Sequence, residues 1–435
     1  MSDIAGIPYR EAQFDKNGRL ENQIALPAGV TDLFVISHGW NNNAAEALAL
    51  YTSFFQNFVA VAQPDDLPGR SLAVIGVIWP SKKFDELVAA SGLPDSAQGA
   101  AGLAAADKKS LKALEEKLAR MENLFTTPAQ RQALGEAKAL LPDLEDKATA
   151  RREFVNKIRS LLDPGAANRE DASDSFFKDD GNELMKNLKV DEDDLDAEVA
   201  GTGGSASLPL GVGTAAPAGG GAAGLKEILS GFKAAAMNIL NFTTYYEMKA
   251  RAGTVGKNGV ARLIDQLAPQ VQRIHLIGHS FGGRVATSTA ANSGTDKIKS
   301  MALLQAAFSH NGFSRSMNGF FRAVVDQQRI KGPILVTHTK NDKAVGMAYP
   351  LASRINGDKT AKFGDENDVF GGIGRNGAQK MQSGESSPGR LLGAGGNYQF
   401  QTGKFYNLEA SEFIKDHSDV TGKEIAHAVR MAVAA

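Results

Sequence analysis

The stretch that decides the fold reads Arg273-Ile274-His275-Leu276-Ile277-Gly278-His279-Ser280-Phe281-Gly282-Gly283. An apolar run leads into a glycine-rich turn, and a helix-forming segment follows from Arg284. Strand, sharp turn and helix with a serine at the apex are the pattern of a nucleophile elbow, which exposes a serine hydroxyl for attack. The glycines two residues before and after Ser280 predict that strand and helix pass close together with no side chain between them.

Runs typical of strands and helices alternate on both sides of this turn. Before it, residues 32–37 and 72–78 are short and apolar, like strands buried on both faces of a parallel sheet. The other predicted strands are 297–304, 333–338 and 404–408, and the predicted helices include 44–61, 255–267, 312–325 and 421–433. Residues 8–14 and 19–26 predict an antiparallel hairpin at the sheet edge. The alternation predicts the α/β class, with a mostly parallel sheet and helices on both faces.

The pattern changes after the second of these strands. Residues 83–235 contain helical segments and are far longer than a loop inside a compact domain. We therefore predict an α/β domain made of residues 1–82 and 236–435, and an inserted, mainly helical cap between them. Within the insertion, residues 201–224 are rich in Gly, Ala and Ser and predict a flexible linker. The acidic stretch 191–196 is interpreted as solvated surface in preference to a cation or partner site.

The composition excludes several classes of function. Lys+Arg 48 against Asp+Glu 49 gives a net charge of -1, so the overall balance indicates neither a nucleic acid nor an anionic membrane as partner. Because the chain has no cysteine, disulfides, thiolate metal sites and a cysteine nucleophile are excluded. No Sec signal peptide and no apolar run long enough to span a bilayer are present, so a cytoplasmic location is the default expectation. Export without such a signal stays open.

A serine hydroxyl is a poor nucleophile near neutral pH, so Ser280 needs a base and an acid that orients that base. Behind a nucleophile elbow, the acid and then the histidine follow at the ends of later strands. Asp342 lies just past the strand predicted at 333–338 and is the predicted acid, in preference to two aspartates elsewhere. Two histidines follow the last predicted strand: His417, in a loop, is the predicted base, whereas His427 falls inside the final helix.

Two N–H groups are predicted to bind the oxyanion of the tetrahedral intermediate. One belongs to Phe281, directly after the nucleophile, and the other to Trp40, which follows a strand and a glycine that permits the bend. Candidates for lining the pocket lie at strand ends on the same rim, namely His38, Gly39, His279, His310 and His338. His275 lies inside the strand of the elbow and is interpreted as a core histidine.

These features together resemble the α/β-hydrolase superfamily, through His38-Gly39-Trp40, Gly278-His279-Ser280-Phe281-Gly282, the Asn341-Asp342 loop and His417. The resemblance covers residues 1–82 and 236–435 and is similar to bacterial serine esterase and lipase-like members in which a Trp-Pro-Ser strand end, here Trp79-Pro80-Ser81, precedes the elbow. It implies an α/β-hydrolase fold and hydrolysis by a Ser-His-Asp triad, with no cofactor and no metal. The position of the insertion departs from the superfamily, in which lids more often enter after the strand beyond the elbow.

A second glycine motif matches the pattern of a different kind of site. Gly372-Ile373-Gly374-Arg375-Asn376-Gly377 matches the G-x-G-x-x-G pattern of dinucleotide sites. No predicted strand precedes it and no βαβ unit surrounds it, so we predict a loop and no dinucleotide site.

The sequence therefore predicts a serine hydrolase that cleaves carboxylic esters through an acyl-enzyme, with a small-molecule or lipid ester as its partner. If the insertion is a lid, we expect a lipase or phospholipase that makes transient contact with a lipid surface. An insertion that only shields a pocket for soluble esters is an equal alternative. An amidase or peptidase with the same triad, and a non-catalytic hydrolase-fold protein whose insertion binds a partner, stay open. The sequence gives no indication of the oligomeric state.

Overall fold

A sheet of nine strands organises the part of the chain that the computed structural model describes, which is residues 2–81, 103–167, 173–189, 231–342, 355 and 370–435. The strands are β1 (Ser2–Ile4), β2 (Ile7–Gln13), β3 (Asp32–Ser37), β4 (Leu72–Ile78), β5 (Arg273–His279), β6 (Ile298–Leu304), β7 (Ile334–His338), β8 (Ser386–Arg390) and β9 (Phe405–Glu409). Their spatial order is β1-β2-β4-β3-β5-β6-β7-β9-β8, and every pair is parallel except β1 with β2.

Helices connect the strands, as the alternation of the sequence predicts. They are α1 (Ala44–Ala60), α2 (Leu103–Met121), α3 (Pro128–Leu140), α4 (Ala148–Arg159), α5 (Ser173–Lys178), α6 (Gly181–Asn187), α7 (Gly231–Thr254), α8 (Ala261–Leu267), α9 (Phe281–Asn292), α10 (Arg322–Asp326), α11 (Ile373–Asn376) and α12 (Lys423–Ala434). The first helix begins at a capping box, in which Asn43 and Glu46 satisfy each other's main-chain N–H groups. The predicted α/β class with a mostly parallel sheet is confirmed.

The core beneath one face of the sheet is aromatic. Phe34 of β3 packs edge-on against Phe55 and Phe58 of α1, with ring centroids 5.5 and 5.3 Å apart. Side chains of α12, among them Val429, belong to the same buried cluster. The alternation of β3 thus directs every second residue toward α1 and α12, which fixes the register of the strand at the centre of the sheet.

The edge of the sheet differs from the predicted hairpin. The antiparallel pair is β1 with β2, joined at Ala5 and Gly6, and residues 19–26 form no strand. A single antiparallel bridge joins Phe14 to Leu20. The side chain of Asp15 accepts the N–H groups of two residues just after it, at 2.9 and 2.8 Å, and this local turn replaces the ladder.

Two helix predictions are also corrected. Residues 312–321 form turns, and only α10 is helical there, because Asn318 adopts a φ of 56° that a helix does not allow. Conversely, α7 and α8 are joined without a break by the π-helical segment Val255–Val260. A side-chain carbon at Gly256 would lie 2.4 Å from the carbonyl oxygen of Val285, so only glycine fits where this segment meets the helix of the elbow.

The chain divides into two compact units. One comprises Met1–Lys82, Met248–Pro350 and Lys362–Ala435, and it contains the sheet. The other comprises Lys83–Glu247 and Leu351–Ala361. For comparison, the sequence predicted an insertion of residues 83–235. The described part of this second unit is helical, with a core that includes the buried side chains of Leu118, Leu134, Leu141, Phe154, Ile158, Phe176 and Met185. The predicted linker 201–224 and the acidic stretch 191–196 lie outside the described residues.

In the described parts of the chain, no helix has the length and apolar character that crossing a bilayer requires. The longest described helix, α7, carries Lys233, Glu247, Lys249 and Arg251 along its length.

A buried ionic cluster joins the starts of the central strands. The carboxylate of Asp32, which is inaccessible to solvent, lies 3.1 Å from Nε2 of His275 and 3.3 Å from guanidinium nitrogens of Arg70 and Arg273. Burial opposes ionisation of Asp32, but hydrogen bonds from His275 and Thr31 and the nearby positive charges lower its pKa below the usual value. The cluster therefore holds an ionised carboxylate in the core.

We expect Asp32→Ala to lower the free energy of unfolding by about 3 kcal/mol, because the buried His275 and the partly exposed Arg70 and Arg273 lose the carboxylate with which they pair. Urea unfolding of the two proteins measures the difference. Glu21→Gln, which removes an exposed carboxylate, is the control and should change stability by less than about 0.5 kcal/mol. A loss at Asp32 no larger than that of the control would contradict this account.

Candidate active site

The sharp turn predicted from the sequence is present. Strand β5 ends at His279, helix α9 begins at Phe281, and Ser280 between them has φ 55° and ψ −125°. This backbone conformation is costly for a residue with a side chain, and such strain is characteristic of functional sites. Main-chain hydrogen bonds hold it: the Ser280 N–H donates to the carbonyl of Leu304, and the Ser280 carbonyl accepts from Gly283 and Ala307.

The glycines around Ser280 are required by close main-chain contacts. A side-chain carbon at Gly278 would lie 2.2 Å from the carbonyl oxygen of Gly282, and one at Gly282 would lie 2.1 Å from that of Ser37. At Gly39, an added carbon would lie 2.6 Å from Cβ of Ser280. The strand, the helix and the loop after β3 thus converge on the serine at distances that only glycine permits.

The three predicted triad residues are in hydrogen-bond contact. Nε2 of His417 lies 2.8 Å from Oγ of Ser280, and Nδ1 of His417 lies 2.8 Å from Oδ2 of Asp342. The carboxylate accepts, so Nδ1 carries the proton, and Nε2 is left as the acceptor for the serine hydroxyl. Asp342 is fully buried, Ser280 is 5% exposed, and the side chain of His417 is 17% exposed. This arrangement can transfer a proton from the serine to the histidine.

The loop that carries the acid is tied to the loop that carries the base. The side-chain amide of Asn341 donates to the main-chain carbonyls of Ser411 and Ile414, at 3.1 and 2.8 Å. Thr339 adds a hydroxyl contact of 2.8 Å to Ser411. These bonds restrain the segment just before His417, and neither Asn341 nor Thr339 has a predicted role from the sequence. The sequence feature that could have identified them is their position near Asp342, after a buried strand.

The second glycine motif supports the acid loop. Residues 373–376 form the short helix α11, where the sequence predicted a loop. The carbonyl of Gly374 accepts from the N–H of Thr339 at 3.0 Å and from the side-chain amide of Gln305 at 2.8 Å. A side-chain carbon at Gly374 would lie 2.5 Å from the main chain of Gln305. The glycine thus serves a close approach between two loops at the end of the sheet.

The loop after β3 has a fixed peptide orientation. Nδ1 of His38 lies 2.8 Å from the carbonyl oxygen of Gly39, and Nε2 of His38 accepts from the N–H of Trp79 at 3.4 Å. Nδ1 is therefore the protonated nitrogen, and Asn42 donates to the same carbonyl at 3.4 Å. Because a trans peptide directs its C=O and N–H to opposite sides, the N–H of Trp40 points away from His38 and Asn42. This is the peptide that the sequence predicts as an oxyanion donor.

The other predicted donor lies beside it. The rings of Trp40 and Phe281 are in contact, with centroids 5.9 Å apart. Trp79 stacks on His38 with centroids 5.5 Å apart and an angle of 6° between the rings, and its indole N–H donates to the His38 carbonyl. The role of the Trp40 and Phe281 amides as oxyanion donors stays a prediction.

Strained residues cluster at the carboxyl ends of three neighbouring strands. Asn41 after β3, Ser280 after β5 and Gln305 after β6 have φ values of 65°, 55° and 45°. Each such conformation costs about 1–3 kcal/mol. Gln305 is fully buried, and its side chain bonds to Thr337 and Gly374. The strained residues therefore lie along the edge of the sheet at which the side chains of Ser280, His417 and Asp342 meet.

The remaining predicted pocket residues differ in their surroundings. His279 is buried against His417, with ring centroids 5.0 Å apart. His310 is fully buried, and its Nδ1 lies 3.1 Å from the Asn376 side chain. His338, at the end of β7, is half-buried and packs beside Gly377. Of these three, the structure places His279 against the triad; a lining role for the others stays a prediction.

A second Ser-His-Asp chain occurs at the opposite ends of the strands. Nδ1 of His275 lies 2.8 Å from Oγ of Ser300, and its Nε2 lies 3.1 Å from Asp32. Ser300 lies within β6, beside a register shift in its pairing with β5, and not at a turn between a strand and a helix. The interpretation of His275 as a core histidine agrees with these contacts.

A groove of about 750 Å³ lies at the far edge of the sheet. Its walls come from β1, β2, α1 and residues 22–24, and the strand order places β4 and β3 between it and β5. None of its lining residues belongs to the Ser280 site. The groove is therefore separate from the Ser280 site.

The buried histidines predict that stability falls in mild acid. Burial lowers the pKa of His38 to about 4 and that of His279 to about 3, from an ordinary value near 6.5. Below pH 6.5 the unfolded chain binds protons on these residues and the folded chain does not, so the free energy of unfolding decreases as the pH falls. Between pH 7.5 and 5.5 each histidine should contribute a loss of about 1 kcal/mol.

Urea unfolding at the two pH values measures this loss. Burial also lowers the pKa of His275, so His38→Asn removes one of these groups, and the pH-dependent part should shrink by about 1 kcal/mol whatever the variant's absolute stability. Carboxylates titrate mostly below this window and add little to it. Equal stability of the wild-type protein at both pH values would contradict the prediction.

Comparison with known proteins adds no relative. No protein-family model matches the chain, and neither a curated protein nor a solved structure shows significant similarity to it.

Proposed function

We propose that this protein is a serine hydrolase that cleaves carboxylic esters through an acyl-enzyme. The observation that carries the proposal is the continuous hydrogen-bond chain from Ser280 through His417 to Asp342, with the serine held at a strained turn. A nucleophile, a base in the correct tautomer and a buried carboxylate that orients the base are the parts that acyl transfer needs.

The proposed acylation begins with attack of Oγ of Ser280 on the ester carbonyl carbon. The hydroxyl proton passes to Nε2 of His417, and the carboxylate of Asp342 stabilises the resulting imidazolium. The oxyanion is bound by the N–H groups of Trp40 and Phe281. When the carbon–oxygen bond of the alcohol breaks, His417 returns the proton to the leaving alkoxide, and the acyl group stays on the serine.

Deacylation repeats these steps with water. His417 takes a proton from the attacking water, and a second tetrahedral intermediate forms with its oxyanion in the same position. Collapse of this intermediate breaks the bond to Oγ of Ser280, which recovers its proton from His417. The products are a carboxylic acid and an alcohol, and the protein returns to its starting state.

Support for an α/β-hydrolase fold comes from three relations. The triad residues follow the chain order Ser280, Asp342, His417, the elbow joins a central parallel strand to a helix, and the loop after an earlier strand lies against the nucleophile. Each relation is a structural context that the motif requires. The function of the helical unit as a lid or shield, the amidase or peptidase alternative and the non-catalytic alternative all stay predictions.

We expect a fluorophosphonate probe to label wild-type protein at Ser280, since the activated hydroxyl attacks phosphorus as it attacks an acyl carbon. Ser280→Ala should abolish labelling and lower ester hydrolysis by about 10⁴–10⁶-fold. Ser300→Ala is the matched control, because Ser300 has the same kind of partners in the second Ser-His-Asp chain but lies within a strand and not at an elbow. Peptide mapping by mass spectrometry identifies the labelled residue. Failure of folded wild-type protein to react would overturn the proposal.

Asp342→Asn should keep the fold and lower kcat by about 10⁴-fold, because the amide favours the wrong tautomer of His417. Hydrolysis of a short activated ester over a range of pH measures the effect. Asp326→Asn serves as the control, since that carboxylate pairs with Arg315 and Arg322 and has no contact with the triad. Activity of Asp342→Asn within tenfold of the wild type would remove Asp342 from the mechanism.

A further inference from the structure

The histidine before the nucleophile makes a specific contact with the base loop. Nε2 of His279 lies 2.8 Å from the main-chain carbonyl oxygen of His417. A carbonyl oxygen only accepts, so the proton resides on Nε2 of His279. The two rings are in contact, with centroids 5.0 Å apart and a tilt of 42° between them. The side chain that follows Gly278 thus reaches from the elbow strand to the loop of the proposed base.

His279 is neutral throughout the range in which the proposed chemistry operates. Its side chain is 5% exposed, and burial first, then electrostatic repulsion from the protonated forms of His417 and His38, lowers its pKa to about 3. Its Nδ1 is buried and has no hydrogen-bond partner within the described chain. Because neutral His279 carries its ring proton on Nε2, this nitrogen stays the hydrogen-bond donor to the His417 carbonyl as His417 gains and loses a proton.

The base loop depends on such contacts. His417 lies between β9 and α12 in a segment of turns, with no strand or helix to place it. Asn341 holds the loop at Ser411 and Ile414, several residues earlier. Within the described chain, the main chain of His417 takes part in one hydrogen bond, and His279 donates it. The distance between Nε2 of His417 and the serine is therefore set partly from the elbow itself.

We propose that His279 is a positioning residue: its Nε2–H donor fixes the main chain of His417, so that the base stays aligned with Ser280. The inference rests on the proposed function, since it assigns a role within that reaction. It explains why a polar side chain is buried directly before the nucleophile, where an apolar residue would avoid the cost of an unpaired nitrogen.

Two variants of similar size separate the donor from the packing. His279→Gln places an amide N–H near the position of Nε2, whereas His279→Met fills the space without a donor. We expect His279→Met to lower kcat by about 10–100-fold with KM changed less than about threefold, because misplacement of the base affects the chemical steps. His279→Gln should recover at least a third of wild-type kcat. His279→Leu replaces the Met variant if the latter does not fold.

Two further measurements accompany the kinetics. Unfolding curves give the folded fraction of each variant, by which the rate constants are corrected. The proton resonance of the hydrogen bond between His417 and Asp342, recorded by NMR, reports alignment of the base without any substrate. It should shift or broaden in His279→Met and be retained in His279→Gln.

The outcomes distinguish this inference from the proposed function. If wild-type protein neither labels with the fluorophosphonate nor hydrolyses esters, the proposed function fails, and the NMR signal alone tests the positioning of His417. If wild type reacts but His279→Met matches it in kcat and in the NMR signal, the positioning role is overturned. Equal losses in the Met and Gln variants would also overturn it, since they would show that packing and not the donor matters.

Discussion

The close approach of three main-chain segments at the elbow is the constraint on which the candidate site depends. Helix α9 starts so near β5 that Gly278 and Gly282 leave no room for a side-chain carbon, and Gly282 also touches the carbonyl of Ser37 at the end of β3. This contact forces Ser280 to a positive φ and brings the Gly39 loop against it. Ser280 and the candidate oxyanion loop are therefore placed by a single steric condition, and the surrounding sheet compensates its energetic cost.

The two Ser-His-Asp chains show that residue type alone does not make a nucleophile. Both have histidine nitrogens within 3.1 Å of a serine hydroxyl and of a carboxylate. The chain around His275 lies within strands β3, β5 and β6, and two guanidinium groups share its carboxylate. The chain around His417 lies where strands end, and its serine stands at the sharp turn between β5 and α9. The difference is one of position in the sheet, which supports a structural role for one chain and the proposed chemistry for the other.

Much of the fold and the candidate triad followed from the sequence, because both depend on short-range patterns. The apolar runs of β3 and β4 give their limits without error. Chain order, together with position after a predicted strand and outside the final helix, selects Asp342 and His417. What the sequence did not predict depends on contacts between distant segments. Strand β8 carries a proline and a glycine and is a strand only because it pairs with β9. Likewise, the support that Asn341 and Gly374 give to the acid loop arises from loops that meet only in the folded chain.

The surroundings of His417 link the stability of the fold to the chemistry that we propose. In acylation His417 becomes a cation next to the ring of His279, and His38 contributes to the same electrostatic environment. A second positive charge at 5.0 Å would oppose that cation by about 3 kcal/mol at an effective dielectric constant near 20. Burial removes this repulsion because it keeps His279 and His38 neutral. The same burial lowers the free energy of unfolding at every pH at which these residues would bind protons in the unfolded chain. The buried histidines therefore lower stability in acid and, by the same physical cause, leave the carboxylate of Asp342 to balance the charge on His417.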